Sequence, residues 1–262
     1  VSARPSSVAA ARGTLLLVGH GSRHDGRAGA PVRRHARRIR ACGLFDDVHV
    51  AFWKEPPFVH DALARIAGED VFIVPVFLAD GWFVRDVLPR ALGVDAARAA
   101  GLRVRYCVPA GAHPAMARLV VSRAVEPGLD APERARATLV LIGHGTERNA
   151  QSGRIVRQLA ARLRRRSGFG AVDCGFLDEE PRIAGVVERA ASPHVVLVPF
   201  LVSDGWHTRE TIPQALGLRG TRTERGGRVL WYTRPVGTLP AVARVIVDIA
   251  RRAAALTPAA SA

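Results

Sequence analysis

Cysteine is scarce and long apolar runs are missing, and each shortage removes a class of protein. Cys42, Cys107 and Cys174 are odd in number, widely separated and outside any Cys-x-x-Cys spacing. That pattern argues against a disulfide framework, a zinc knuckle or an iron–sulfur cluster, and a reducing cytoplasm is the simplest compartment for it. No stretch approaches the ~18 consecutive apolar residues of a membrane span, so no membrane partner is expected. Val1 to Gly13 lacks an apolar core segment and reads as a loose tail rather than a secretory signal. A Gly-x-x-x-x-Gly-Lys loop is absent, so neither an ATP site nor an organic cofactor is expected. Nor does any aromatic-rich strand of the kind that reads single-stranded RNA accompany the basic residues, which weighs against a nucleic-acid partner.

What is present is length, an apolar interior and arginine. The 262 residues are 48% hydrophobic, enough for two domains of ordinary size, each with its own core. The formal charge of +15 is almost wholly arginine, with clusters at Arg33 to Arg40 and Arg162 to Arg166. Such an excess draws in polyanions, including polyacidic small molecules. The plainer reading is that these arginines decorate solvated helix faces.

The chain also repeats itself. Asp80-Gly81-Trp82-Phe83 returns 124 residues later as Asp204-Gly205-Trp206-His207, and Gly19-His20-Gly21-Ser22 returns as Gly143-His144-Gly145-Thr146. The same offset pairs Phe52 with Phe176, Glu55 with Glu179, Pro57 with Pro181, Arg85 with Arg209 and Pro89 with Pro213. Later the offset becomes 126, pairing Tyr106 with Tyr232 and Gly111 with Gly237, so two residues are gained within Gly217 to Gly227. A period this long matches a whole small domain rather than a solenoid unit. Duplication of one domain follows, with lobes at 14–125 and 138–251, a Pro- and charge-rich linker at 126–137, and short tails at 1–13 and 252–262.

Within the first lobe, apolar runs predict strands over Thr14–Val18, Asp47–Phe52, Val71–Leu78 and Leu102–Val108. Helices are predicted over Ala30–Cys42, Phe58–Ala67, Val84–Leu92 and Ala115–Val125, with Pro89 shortening the third. Strand and helix alternate four times, which predicts an α/β fold of two tandem similar lobes, each a four-stranded parallel sheet with helices on both faces.

In such sheets the ligand crevice lies beyond the carboxyl ends of the strands, and the unusual words fall there. In the second lobe these are His144, Asp178-Glu179-Glu180, Asp204-Gly205-Trp206-His207 and Arg234-Pro235-Val236-Gly237. Two neutral imidazoles beside a carboxylate suit a borderline divalent metal such as Co²⁺, Fe²⁺, Ni²⁺ or Zn²⁺, and so few ligands leave the ion open to a substrate. His144 alone reads as well as a loop residue. His207 is sharper, because Phe83 shows that the loop folds without a polar side chain there. Trp82 and Trp206 read more readily as packing residues than as stacking platforms, and Asp80 and Asp204 as helix caps. Of the histidines without a repeat partner, His113 is held in reserve because it lies on the crevice edge. His24, His35, His49, His60 and His194 read as surface or packing residues.

Gly-His-Gly-Ser/Thr after the first strand, the run from Val198 to His207 and the later Thr211-Ile212-Pro213 together resemble the class II tetrapyrrole chelatases of the sirohydrochlorin chelatase, or CbiX-like, family in its two-repeat form. The resemblance covers Thr14 to Val125 and Thr138 to Ile249. It implies two lobes around a cleft and insertion of Co²⁺ or Fe²⁺ into sirohydrochlorin on the way to cobalamin or sirohaem, with Ni²⁺ used by related members. It also implies that His144 and His207 are the metal ligands, Pro213 being the proline six residues on, and that an acidic residue falls within Asp178-Glu179-Glu180. Glu179 is preferred there because Glu55 is its repeat partner. By the same rule the first lobe, with His20 and Phe83, has an incomplete site. An arginine-rich cleft would suit the eight carboxylates of sirohydrochlorin. Two fused lobes make a monomer sufficient. A duplicated chelatase that binds metal or tetrapyrrole without inserting one into the other is the competing expectation, and phosphoryl transfer through His20 or His144 a remoter one.

Overall fold

A computed structural model describes residues 13–147 and 153–256. The expected tails before Gly13 and after Leu256 lie outside the described residues. The first lobe contains β1 (Thr14–Gly19), α1 (Ala30–Arg40), β2 (Asp47–Phe52), β3 (Asp70–Pro75), α2 (Leu88–Ala91), α3 (Val94–Ala99), β4 (Arg103–Tyr106) and α4 (Met116–Ala124). Its sheet is all parallel in the order β2-β1-β3-β4. Helix α5 (Ala131–Ala135) leads to the second lobe, which contains β5 (Thr138–Gly143), α6 (Arg154–Leu163), β6 (Ala171–Phe176), α7 (Ile183–Arg189), β7 (His194–Pro199), α8 (Ile212–Leu216), β8 (Arg222–Arg225), β9 (Arg228–Tyr232) and α9 (Val242–Ala255). Its sheet order is β6-β5-β7-β9-β8. Both central strands, β1 and β5, are buried along their whole length, as near-continuous apolar runs covered on both faces require.

The outer face of each sheet has its own core. Leu16, Val18, Ile73 and Leu88 pack together in the first lobe, and Val140, Ile142, Leu197 and Ile212 in the second. The inner faces share one. Leu15, Leu17 and Val74 belong to the same apolar cluster as Leu139, Leu141 and Val198. Helix α4 packs on β7 and α9 packs on β3 and α1, so each lobe lays its last helix against the other lobe's sheet. Polar side chains fasten the exchange. His35 Nε2 donates to the Gly237 carbonyl at 2.8 Å, and the wholly buried Arg123 donates to Pro235 O at 3.1 Å and Thr238 Oγ1 at 2.8 Å.

Four expectations are corrected. The two residues gained in the second lobe belong to a hairpin, in which β8 pairs antiparallel with β9 through Gly226-Gly227 at φ 56° and 72°. Positive φ at both central residues is what a tight hairpin turn asks for, so the second sheet has a fifth strand where the first lobe has α3. The helix expected over 58–67 is two 3₁₀ turns, Val59–Asp61 and Leu63–Arg65. A span so short gains little from helix propensity, and tighter turns serve as connectors. The stretch expected as linker folds in part as α5, with Asp130 and Glu133 forming a reciprocal capping box. Arg252 to Ala255, expected in the tail, extend α9.

Candidate functional site

His144 leaves the end of β5 on a loop that its glycines shape. Gly145 stands at φ +71°, and a Cβ there would lie 2.6 Å from Glu179 Cβ, so only glycine lets the loop close over that side chain. The His144 Nδ1–H donates to the Gly145 carbonyl at 3.0 Å, which fixes the tautomer and turns the Nε2 lone pair outward. His207 opens a turn of π-helix, His207–Thr211, directly after Trp206. A one-residue widening of this kind re-aims side chains and is frequent at functional sites. Tyr232 of β9 anchors the turn by donating from its hydroxyl to Thr208 O at 2.8 Å, and Tyr106 does the same for Val84 O in the first lobe at 2.5 Å.

The two imidazoles meet. Their Nε2 atoms are 3.2 Å apart and their rings nearly perpendicular, with centroids 4.6 Å apart. His207 Nδ1 lies 3.3 Å from Thr211 Oγ1, which orients the second ring. Asp178 Oδ2 is 3.4 Å from His144 Nδ1, and both side chains remain about half exposed, at 58% and 47%. Burial holds the His207 pKa below its ordinary value, the neighbouring His144 lowers it further, and Asp178 opposes them. Burial and the neighbouring imidazole thus both favour the neutral ring, whose lone pair is available to a cation. Among the described residues no group of three or more His, Cys, Asp or Glu side chains is placed to hold a metal. The described contribution is two converging nitrogens with a carboxylate behind one of them.

Glu179 is not on this pair. Its side chain is 9% exposed, beneath the loop, where Oε1 accepts from Arg157 Nη1 at 2.5 Å and Oε2 from the Thr146 N–H at 3.3 Å. Glu55 does the same in the first lobe, accepting from Arg33 at 2.8 Å and from the Ser22 N–H at 3.0 Å. The repeat partnership that favoured Glu179 is thus that of a loop support. Glu180 accepts from the Arg182 N–H at 2.9 Å. Asp80 and Asp204 make no helix cap: Asp80 pairs with Arg85 at 2.9 and 2.5 Å, Asp204 with Arg209 at 2.9 Å. His113 is buried and bonds Asp248 Oδ2 of α9 at 2.8 Å, so it belongs to the helix exchange.

Between the lobes the histidines face a cleft of two chambers. One, about 640 Å³, is lined by His144, His207 and Trp206 of the second lobe and by Ser22, Arg23, His24 and Lys54 of the first. The other, about 870 Å³, is lined by Phe77, Trp82, Phe83, Val84, Val156 and the His144 loop. His20 borders both. Trp82 and Trp206 are 63% and 67% exposed, rim residues rather than packing. Among the described residues the cleft is less basic than the arginine content promised. Arg23 and Lys54 are the cationic side chains that line the smaller chamber among the described residues, whereas Arg162, Arg165 and Arg166 gather on a separate shallow surface. Sequence reasoning missed Arg23, His24 and Lys54; proximity to His20 and to the end of β2 was the available signal.

Two chelatase-like lobes around a cleft that carries a histidine pair define the class, and the comparison with known sequences places the chain within it. It belongs to the CbiX family, whose model matches residues 14–127 and again 138–253. A "probable sirohydrochlorin cobaltochelatase" of Halobacterium salinarum is 34% identical over 92% of this chain and 91% of its own length. The crystal structure of a multi-domain protein of Deinococcus radiodurans, described as similar to chelatases with two additional domains, superposes with a TM-score of 0.76 at 31% identity. The match covers 92% of this chain and 55% of that one, so the chain spans about half its length. The structure of a CbiX described as the terminal enzyme of sirohaem biosynthesis in denitrifying bacteria superposes at 0.70 with 28% identity, over 93% of this chain and all of that one. Among the described residues no helix is long and apolar enough to cross a membrane.

Proposed function

We propose that this protein inserts Co²⁺ or Fe²⁺ into sirohydrochlorin, holding the ion between His144 and His207 while the macrocycle lies in the cleft. The observation that carries the reading is the 3.2 Å approach of the two Nε2 atoms at the cleft wall. Each ring is held through Nδ1, so both Nε2 atoms converge on one point, where a shared proton gives way to a cation. Imidazole suits either ion and does not choose between them. An ion held by two ligands keeps positions free for ring nitrogens, so it can pass from imidazole to pyrrole without first being released to water.

Insertion exchanges one divalent ion for two pyrrole protons. An imidazole that surrenders the ion regains a lone pair, and it stands where the proton must go. His207, its pKa lowered chiefly by burial, sheds a proton readily, and Asp178 lies 3.4 Å from His144 Nδ1 on the other side of the pair. The carboxylate role falls to Asp178, and Glu179 positions the loop. Arg23 and Lys54 receive carboxylates of the substrate, while Val76, Phe77, Leu201 and Trp206 cover the ring faces. Both walls come from one chain, so a monomer suffices.

The test is anaerobic incubation of the purified protein with sirohydrochlorin and Co²⁺, Fe²⁺ or Ni²⁺, followed by the absorbance of the macrocycle. Conversion faster than the protein-free reaction with Co²⁺ or Fe²⁺ is expected. A rate equal to the spontaneous one leaves a binding protein, not a chelatase.

A further inference from the structure

The two chambers are images of each other under the internal repeat. In the smaller one the His20 loop of the first lobe faces Gly205-Trp206-His207 of the second; in the larger the His144 loop of the second faces Gly81-Trp82-Phe83 of the first. Duplication has therefore kept two cavities; His20 and His144 border both, and among the described residues the converging His144–His207 pair faces only the smaller. The larger has not been filled in. At about 870 Å³, lined by Phe77, Phe83, Val84, Val156 and Phe200 and flanked by the exposed Trp82, it has the size and apolar lining of a ligand site.

His20 is set as if to bind something there. Its Nδ1 is 3.0 Å from the Gly21 carbonyl, the same distance as His144 Nδ1 to Gly145 O, so its Nε2 carries the outward lone pair in the same pose. Where His144 meets an imidazole, His20 meets a phenyl ring: the Phe83 centroid is 6.1 Å away and that of Phe77 6.4 Å. Among the described residues Nε2 of His20 makes no hydrogen bond. His144 also borders this chamber, but its Nε2 faces His207 at 3.2 Å, so His20 offers its lone pair alone, and a single imidazole in an apolar pocket is a poor holder of a bare, hydrated divalent ion, which would trade water for hydrocarbon. It is a good axial ligand for a metal whose four equatorial positions a tetrapyrrole already fills, with a flat apolar ring to bury against Phe77, Phe83 and Trp82. Beside the lining residues Ala79 and Gly81, Asp80 is shared by Arg85, at 2.5 Å, and Arg154, at 3.6 Å, which places two guanidinium groups near the chamber where a ring carboxylate can compete for them.

We propose that this chamber is a second macrocycle site, selective for the metallated tetrapyrrole, with His20 as its axial ligand. The proposal rests on the tetrapyrrole reading of the cleft but not on catalysis. Free ions and product are thereby sorted to opposite sides of one cleft: the metal enters at His144 and His207, and the finished complex is retained on His20.

The experiment titrates the full chain with iron(III) uroporphyrin, a ready-made eight-carboxylate metal complex that needs no chelation, and reads the visible spectrum for axial imidazole. Wild type and His207→Ala, whose altered residue does not line this chamber, should both give the imidazole-ligated spectrum with similar affinity. His20→Ala should lose it and bind at least about tenfold more weakly, and circular dichroism and thermal unfolding confirm that it folds. The second variant, Trp82→Ala, should weaken binding while keeping the spectrum. Retention of the spectrum in His20→Ala, its loss in His207→Ala, or no binding by wild type overturns the proposal. A wild type that fails to insert metal but gives the His20-dependent spectrum removes the chelatase reading and leaves this one standing.

Discussion

His144 and His207, 63 residues apart in sequence, bring their Nε2 atoms within 3.2 Å at the wall of the cleft. Each comes from a different strand end, and each ring is oriented by a second contact, through Gly145 O or Thr211 Oγ1. Two lone pairs at that distance repel unless a proton or a metal ion lies between them, so the pair is built for a cation.

The first prediction concerns pH. Burial and His144 lower the His207 pKa from its ordinary 6.5, so near and just below that pH the unfolded chain binds a proton there that the folded protein refuses. Stability contributed at this residue is therefore lost as pH falls through the unfolded value towards the folded one. In thermal unfolding from about pH 7 to about pH 5, wild type should lose stability relative to His207→Phe, in which this proton uptake is absent. Parallel curves would show that His207 titrates normally.

Asp178 and Glu179 divide position from chemistry. Asp178→Asn removes the charge that raises the His207 pKa and stands 3.4 Å from His144 Nδ1, so the acid limb of metal binding should move to lower pH and turnover should fall by about 10- to 100-fold. Glu179→Ala should destabilise the fold by about 1–3 kcal/mol, because it strands Arg157 and the Thr146 N–H. Glu55→Ala should cost about as much, since Glu55 holds the matching loop. Chemical denaturation of the three variants measures this, and a stable but inactive Glu179→Ala would return the chemical role to Glu179.

A third prediction tests the backbone behind the site. A Cβ at Gly237 would sit 2.4 Å from Val202 Cα, and one at Gly111 2.5 Å from Leu78 Cα, each against a segment lining the cleft. Gly237→Ala should lower stability by about 1–3 kcal/mol and disturb the chamber that Val202 lines. An unchanged unfolding midpoint would mean that the two segments separate freely.

How far these features could be read in the sequence depends on what a repeat reports. The offset that pairs Gly143-His144-Gly145 with Gly19-His20-Gly21 revealed two lobes, and the departure of His207 from Phe83 picked out the residue that the fold does not need. Agreement between repeats was less informative. Glu55 and Glu179 match because both brace a loop, and a brace is preserved by duplication as faithfully as a ligand. The exchange of α4 and α9 was illegible for a related reason: each helix has the apolar stripe to cover a sheet, and the stripe does not say whose. The Gly226-Gly227 hairpin was written in plain turn chemistry within a stretch that reads otherwise as an arginine-rich insertion. Trp82 and Trp206 misled because large aromatic side chains usually pack, whereas here they stand at a rim where a flat ligand would cover them.

The central claim is that the change from Phe83 to His207 separates a lobe that frames the cleft from one that holds the metal. The chelation rate of His207→Phe, measured anaerobically with sirohydrochlorin and Co²⁺ or Fe²⁺, tests it most directly, because the first lobe already folds with phenylalanine at that place. The account predicts a folded protein whose rate falls by about 100-fold or more, towards the spontaneous reaction, as expected when one of two metal ligands is removed. A folded His207→Phe that inserts metal at the wild-type rate would contradict it.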